Sequence, residues 1–167
     1  MNSSIAAAIA PLEGLTVGEV LRRSARLHPG NVFFKGDGLR ASFADFDAAV
    51  DRLATALLQL GIGRGDHVAL WLPNSYEWAL VFCASARIGA VVVPINTRYT
   101  APEAAYILRQ SDARLLVLTR RLWGKDYAQL LEGVLSELGS ASMLRHVAWV
   151  KGEGAAGLDF ASLAARP

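Results

Sequence analysis

The chain has 167 residues, enough for one domain with a substantial core. Hydrophobic residues make up 53% and charged residues 19%, a balance that suits either a sheet covered on both faces or a piece that normally leans on a missing neighbour. The net charge is only +2 and the basic residues are scattered, so no nucleic-acid footprint is present.

Residues 1–11 read as a disordered, Ala-rich leader. The apolar stretch 5–10 has no Lys or Arg before it and is too short for a secretory core. Residues 12–167 read as one α/β unit. Thr16 and Glu19 form a capping-box pair that starts a helix, with Val17, Val20, Leu21 and Leu27 as its apolar stripe and Arg22, Arg23 and Arg26 opposite. His28-Pro29-Gly30 stops it. Segments 31–34 and 40–42 flank Gly36-Asp37-Gly38, a hairpin signal. Ser42 then caps a helix in which Phe43, Phe46, Val50, Leu53, Leu57 and Leu60 recur at steps of three and four. Glycines 61, 63 and 65 follow this helix and precede a strand, the reverse of a dinucleotide fingerprint, so they predict a tight turn.

A strand is expected over 67–72, broken by Pro73-Asn74, with Asn74 and Glu77 capping a buried helix that carries Trp78, Leu80, Val81, Phe82, Ala84 and Ile88. Gly89 ends it. The β-branched run 90–95 predicts a central parallel strand, with Val91, Val92 and Val93 between strands 68–72 and 115–118. Thr100 and Glu103 open another helix, with Pro102 in its first turn. A strand over 114–118, a helix over 126–138 and a strand over 145–150 complete the alternation. The segment 151–157 reads as a surface linker. The fold class is therefore α/β: a mainly parallel, doubly wound sheet with helices on both faces, plus an N-terminal helix and a small hairpin.

No second ligand stands at metal spacing near His28, His67 or His146, so all three predict structural roles and no metal site. Cys83, the single cysteine, lies in an apolar helical run without a neighbouring base in sequence; it predicts an inert buried thiol and a reducing, cytoplasmic setting. Trp71, Trp78, Trp123 and Trp149 are expected in the core. No uninterrupted apolar stretch reaches membrane-spanning length.

Two phrases stand out: Leu72-Pro73-Asn74-Ser75-Tyr76-Glu77-Trp78, and Gly89-Ala90-Val91-Val92-Val93-Pro94-Ile95-Asn96-Thr97-Arg98-Tyr99-Thr100-Ala101-Pro102-Glu103. As a pair they resemble the opening subdomain of the AMP-forming acyl-CoA synthetases, within the adenylate-forming, AMP-binding superfamily. The resemblance spans roughly residues 12–165. It implies a parent enzyme that activates a carboxylic acid with ATP and Mg and passes the acyl group to coenzyme A. The family's phosphate loop is Ser/Thr/Gly-rich and ends in Pro-Lys-Gly, whereas none of Lys35, Lys125 and Lys151 follows such a run. No catalytic residue is therefore assigned, no cofactor is expected on this piece alone, and the chain is expected to be a truncated, inactive part of the ligase.

By the same resemblance, Thr97, Arg98 and Tyr99, then Arg120, Arg121 and Lys125, match loops that approach the nucleotide end of coenzyme A. The expected partner is the remainder of the adenylating domain, or a second copy forming a homodimer through the apolar face that a missing neighbour leaves open. Two other readings stay open: a stand-alone protein-interaction module or half of a split enzyme with this fold, and a small nucleotide-binding domain, against which the missing glycine fingerprint counts.

Overall fold

The computed structural model describes residues 12–36, 38–151 and 157–166. The expected leader and most of the expected linker 151–157 lie outside these residues. Helix α1 (Val17–Leu27) starts at a reciprocal capping box: the Glu19 N–H donates to the Thr16 hydroxyl (3.3 Å) and the Thr16 N–H to the Glu19 carboxylate (2.7 Å). Strands β1 (Val32–Gly36) and β2 (Leu39–Ser42) form the antiparallel hairpin. Helix α2 (Phe43–Gln59) begins at a second capping box, Ser42 with Asp45, and buries Phe46, Val50, Leu53 and Leu57.

The remaining elements alternate. They are β3 (His67–Trp71), α3 (Tyr76–Ile88), β4 (Val91–Pro94), α4 (Ala101–Gln110) and β5 (Leu115–Thr119), followed by a two-residue-per-strand hairpin β6 (Arg121–Leu122) and β7 (Lys125–Asp126). Then come α5 (Tyr127–Leu138), a 3-10 turn over Gly139–Ala141, β8 (His146–Val150), β9 (Leu158–Asp159) and α6 (Phe160–Ala164). One five-stranded sheet, entirely parallel, runs in the order β4-β3-β5-β8-β9.

Strand periodicity divides the core in two. Val68 and Leu70 of β3, with Leu115 and Val117 of β5, face α1, α2, α3 and α6. Ala69, Trp71, Leu116 and Leu118 face the other way, against α4 and α5, where Leu108, Tyr127, Leu131 and Val134 are buried. The chain leaves β3 toward one sheet face and β5 toward the other, so the ends of these strands form the reversal point of a doubly wound sheet.

Four expectations change. The run 91–93 is not central: β4 lies at the sheet edge, β3 takes the place beside it, and Val91 is 45% exposed. One edge of β4 stays open, and Val92 and Val93 are only half-buried, each packed against one of the two cores; a continuous apolar run does not tell an edge strand from a central one. Pro94, which has no N–H to donate, is the sequence signal for an edge. The cap of α3 is Ser75, whose hydroxyl accepts from the Trp78 N–H (3.2 Å), rather than Asn74. That helix is not buried all round, since Trp78 and Phe82 are half-buried and stack on each other with centroids 5.5 Å apart. The buried face of α1 consists of Gly18, Leu21 and Ala25, with Val17 and Leu27 exposed.

The shift on α1 has a local cause. Arg87 of α3, nearly buried, donates to Asp51 (2.6 Å) and to Asp47 of α2, and reaches the Gly18 carbonyl (3.4 Å). A Cβ on Gly18 would lie 3.4 Å from the Arg87 Cα, so only a small residue allows this approach. Arg22 adds a pair to Asp51 at 2.9 Å.

The strand order predicts unequal responses to charge. Val68→Asp buries an unpaired carboxylate in the sheet centre and costs more than about 3 kcal/mol. Val91→Lys at the open edge changes stability by no more than about 0.5 kcal/mol. Urea unfolding of the two variants checks this, and equal losses would contradict the edge position of β4.

Candidate functional site

Ligands of open α/β sheets collect beyond the carboxyl ends of the strands. Here the loop 96–99 follows β4 and the β6–β7 hairpin follows β5, and the structure brings them together. The Lys125 ammonium donates to the Arg98 carbonyl (3.1 Å), and the buried Tyr127 hydroxyl donates to the Thr97 carbonyl (2.7 Å). Burial raises the Tyr127 pKa above its ordinary value, which keeps this donor protonated. Asn96 shapes the loop from within: its side-chain oxygen accepts from the Arg98 N–H (2.9 Å), and its carbonyl accepts from the Trp71 indole (3.0 Å) and the Tyr99 N–H (3.0 Å).

At the hairpin tip, Trp123 has φ +50° and Gly124 φ +77°, so the turn uses left-handed backbone at two successive residues. Trp123 is 66% exposed, against the expectation of a core position; Trp71 and Trp149 are the fully buried indoles. The Arg98 guanidinium lies 5.2 Å from the Trp123 ring centroid, a cation–π stack.

The six candidate residues thus form one rim. Arg98, Arg121 and Lys125 are exposed on it, with Thr97 and Tyr99 half-buried. Arg120 is paired with Asp126, which also caps α5 by accepting from the Ala128 N–H (2.9 Å) and the Gln129 N–H (3.4 Å). Burial pushes the Asp126 carboxyl up, but those donors with Arg120 and Arg121 bring it below its ordinary value. Arg121 lies 3.8 Å from Asp126 with 78% of its side chain exposed, a pairing too solvated to hold it.

Beside the rim, between the ends of β3 and β4, is a cleft of about 630 Å³. Asn74, Trp78, Asn96, Thr97 and Trp123 line it together with prolines 73 and 94. Of these, only Thr97 was among the residues marked by resemblance. Asn96 and Gly124 carry turn signals in the sequence, but nothing in it brings Trp78 and Trp123 to one cleft.

The histidines and Asp66 serve as structural ties. His67 Nδ1 bonds the Ser111 carbonyl, His146 Nε2 bonds the Leu60 carbonyl (3.1 Å), and the His28 N–H closes α1 on the Ser24 carbonyl (2.8 Å). In the turn before β3, Asp66 accepts from the Gly63 N–H (2.9 Å) and pairs with Arg114 (2.9 Å). Burial pushes the Cys83 thiol above its ordinary pKa, with Arg87 opposing only in part. Among the described residues there is no group of three or more His, Cys, Asp and Glu able to hold a metal, and no helix long and apolar enough to cross a membrane.

A family model for AMP-binding enzymes matches residues 21–164. The chain belongs to the AMP-binding enzyme family. It is 39% identical over 123 residues to the long-chain-fatty-acid–CoA ligase FadD13 of Mycobacterium tuberculosis, covering 72% of this chain and 24% of that protein. Identity to the mitochondrial medium-chain acyl-CoA ligase ACSF2 of Danio rerio is 32% over 134 residues, covering 79% and 22%. The crystal structure of the anthranilate CoA ligase AuaEII with anthranoyl-AMP matches with a TM-score of 0.77 at 26% identity, over 89% of this chain and 27% of that one. The N-terminal domain of FACL13 from Mycobacterium tuberculosis matches at 0.69 and 30% identity, over 81% and 33%. The chain spans about a quarter of the length of the curated relatives it matches.

The Tyr127 hydroxyl, with the Trp71 indole, is a buried tie of the rim to the second core. Tyr127→Phe should cost about 1 kcal/mol. Amide hydrogen exchange should speed up at residues 97–99 while β3 and β5 stay protected. Unchanged exchange in that loop would show that the hydroxyl does not fix it.

Proposed function

We propose that this chain is the N-terminal part of an ATP-dependent carboxylic acid–CoA ligase. In that reaction a carboxylate oxygen attacks the α-phosphorus of ATP, giving acyl-AMP and releasing pyrophosphate. The thiol of coenzyme A then attacks the acyl carbonyl, forming the thioester and releasing AMP. The observation that carries this reading is the family match across 21–164, joined by relatives whose names are acyl-CoA ligases. ATP with Mg would supply the activated adenylyl group. The charge that develops on the phosphates has to be met by pre-placed donors, and a lysine after a Ser/Thr/Gly-rich loop is not in this sequence. Adenylation therefore belongs to the remainder of the adenylating domain, the partner of this piece in the cytoplasm.

This chain contributes the rim. Thr97, Arg98 and Tyr99 with Arg120, Arg121 and Lys125 meet the phosphates at the nucleotide end of coenzyme A. The guanidinium fork of Arg98 suits a phosphate, and its seat on the Trp123 ring limits the side-chain freedom that binding would otherwise remove. Arg121 and Lys125 supply exposed positive charge beside it, while Arg120 serves mainly to hold Asp126 and the hairpin.

Two measurements test this. The purified chain, given ATP, Mg and a panel of carboxylic acids, forms no AMP; acid-dependent pyrophosphate release would overturn the assignment of adenylation to the remainder. Calorimetry with coenzyme A should show binding that weakens as salt rises and falls in Arg98→Ala and Arg121→Ala. Binding equal to wild type in both variants would remove the rim from the coenzyme A path.

A further inference from the structure

Helix α4 turns a stripe of Glu103, Tyr106 and Arg109 to solvent, all three exposed and three residues apart. Residues at that step share one helix face, so the carboxylate and the guanidinium stand on either side of the ring, each about 4.5 Å from it along the axis. Tyr106 is 61% exposed and, with Trp123, is one of two aromatic side chains left open to solvent among the described residues. Beside it lies a hollow of about 470 Å³, lined by Tyr99, Pro102 and Ile107 together with Glu103 and Tyr106. Both charges of the stripe are held in place. The Thr100 N–H (2.8 Å) and hydroxyl (2.7 Å) donate to Glu103 Oε2, which keeps its carboxyl below the ordinary pKa and leaves Oε1 for a donor from outside. Arg109 Nη2 donates to the Glu137 carbonyl of α5 (2.5 Å), and a fork of five N–H donors has others to offer.

The stripe is neutral as a whole and antisymmetric about its ring, negative toward the start of α4 and positive toward its end. An anionic lipid surface or an acidic peptide would be repelled by Glu103 as much as it is drawn to Arg109. A second copy of the stripe laid alongside in the parallel sense would set like charges together, which is costly. Laid antiparallel, Glu103 meets the partner's Arg109, Arg109 meets the partner's Glu103, and each Tyr106 ring enters the hollow of the other copy. That is the self-complementary patch a twofold axis requires. From this charge order and the open ring we infer that the outer face of α4 is a dimer surface, on which two copies of this chain pack antiparallel through Glu103, Tyr106 and Arg109. The contact is one helix pair, smaller than a stable dimer interface, so it forms in exchange with monomer at high protein concentration. It shares only Tyr99 with the rim and is independent of the coenzyme A reading.

Sedimentation equilibrium of the full chain at rising concentration tests this. Wild type should approach the mass of two copies, with less dimer as salt rises. Tyr106→Ser should weaken association about tenfold or more, and Tyr106→Phe should recover most of the loss. Arg109→Glu and Glu103→Arg each give the stripe two like charges, so each variant alone should stay monomeric. Mixed in equal amounts they should form a heterodimer, because every pair across the axis is then opposite in sign. Circular dichroism and melting confirm that each variant is folded; if loss of the Thr100 cap unfolds Glu103→Arg, Tyr106→Ser decides the matter by itself. A strictly monomeric wild type, a dimer unchanged in Tyr106→Ser, a mass that grows past two copies, or no heterodimer from the two folded charge variants would overturn the inference.

Discussion

A parallel strand with neighbours on both edges and helices on both faces has only its two ends left for contact with anything else. Strands β3 and β5 are in that position: their side chains alternate between two separate cores, and β4 and β8 occupy their outer edges. Each link between successive parallel strands must cross a sheet face, so α3 lies on one side and α4 and α5 on the other. The side-chain chemistry that this chain can offer a ligand is therefore concentrated on the loops that leave the carboxyl ends. The polar residues of the rim and cleft sit in those loops or in the first turn of α3.

Loops in such positions are useful only if they are held in place. The segment 96–99 is tied at successive carbonyls: Asn96 to the Trp71 indole, Thr97 to the Tyr127 hydroxyl, Arg98 to the Lys125 ammonium. Two of the three donors, Trp71 and Tyr127, are fully buried and pack edge to face with ring centroids 5.0 Å apart. The aromatic core under α5 thus acts as the foundation of the rim. A side chain that reads from the sequence as packing fixes where a surface cation stands.

Much of the architecture was legible because local and long-range signals agree. The capping pairs Thr16/Glu19, Ser42/Asp45 and Thr100/Glu103 mark helix starts by hydrogen bonds that span three residues. The alternation of helix and strand implies a parallel sheet. Strand order is a different kind of information, because it depends on which side of β3 the chain turns. The valines at 91–93 record only an apolar strand, and Pro94 was the one residue that spoke for the edge. The cation candidates were readable only by resemblance. Their meeting with Trp123 depends on a hairpin of two-residue strands, too short for any periodicity to reveal. The tryptophan was misread for the same reason: its exposure follows from a left-handed turn at Trp123 and Gly124, which composition places among core residues.

Pro94 also bears on how the molecule behaves in company. The Val91 and Ile95 N–H groups point inward to the Asp66 and Leu70 carbonyls (both 2.8 Å), so by strand alternation the residues between them that point outward are Val92 and Pro94. One of these has no N–H, and the open edge of β4 is left with a single outward amide. A strand from another molecule would find one donor there where an uninterrupted edge offers two. An apolar, exposed sheet edge of this kind is ordinarily a template for aggregation, and at this edge one imino acid removes half of the donors that an added strand would use.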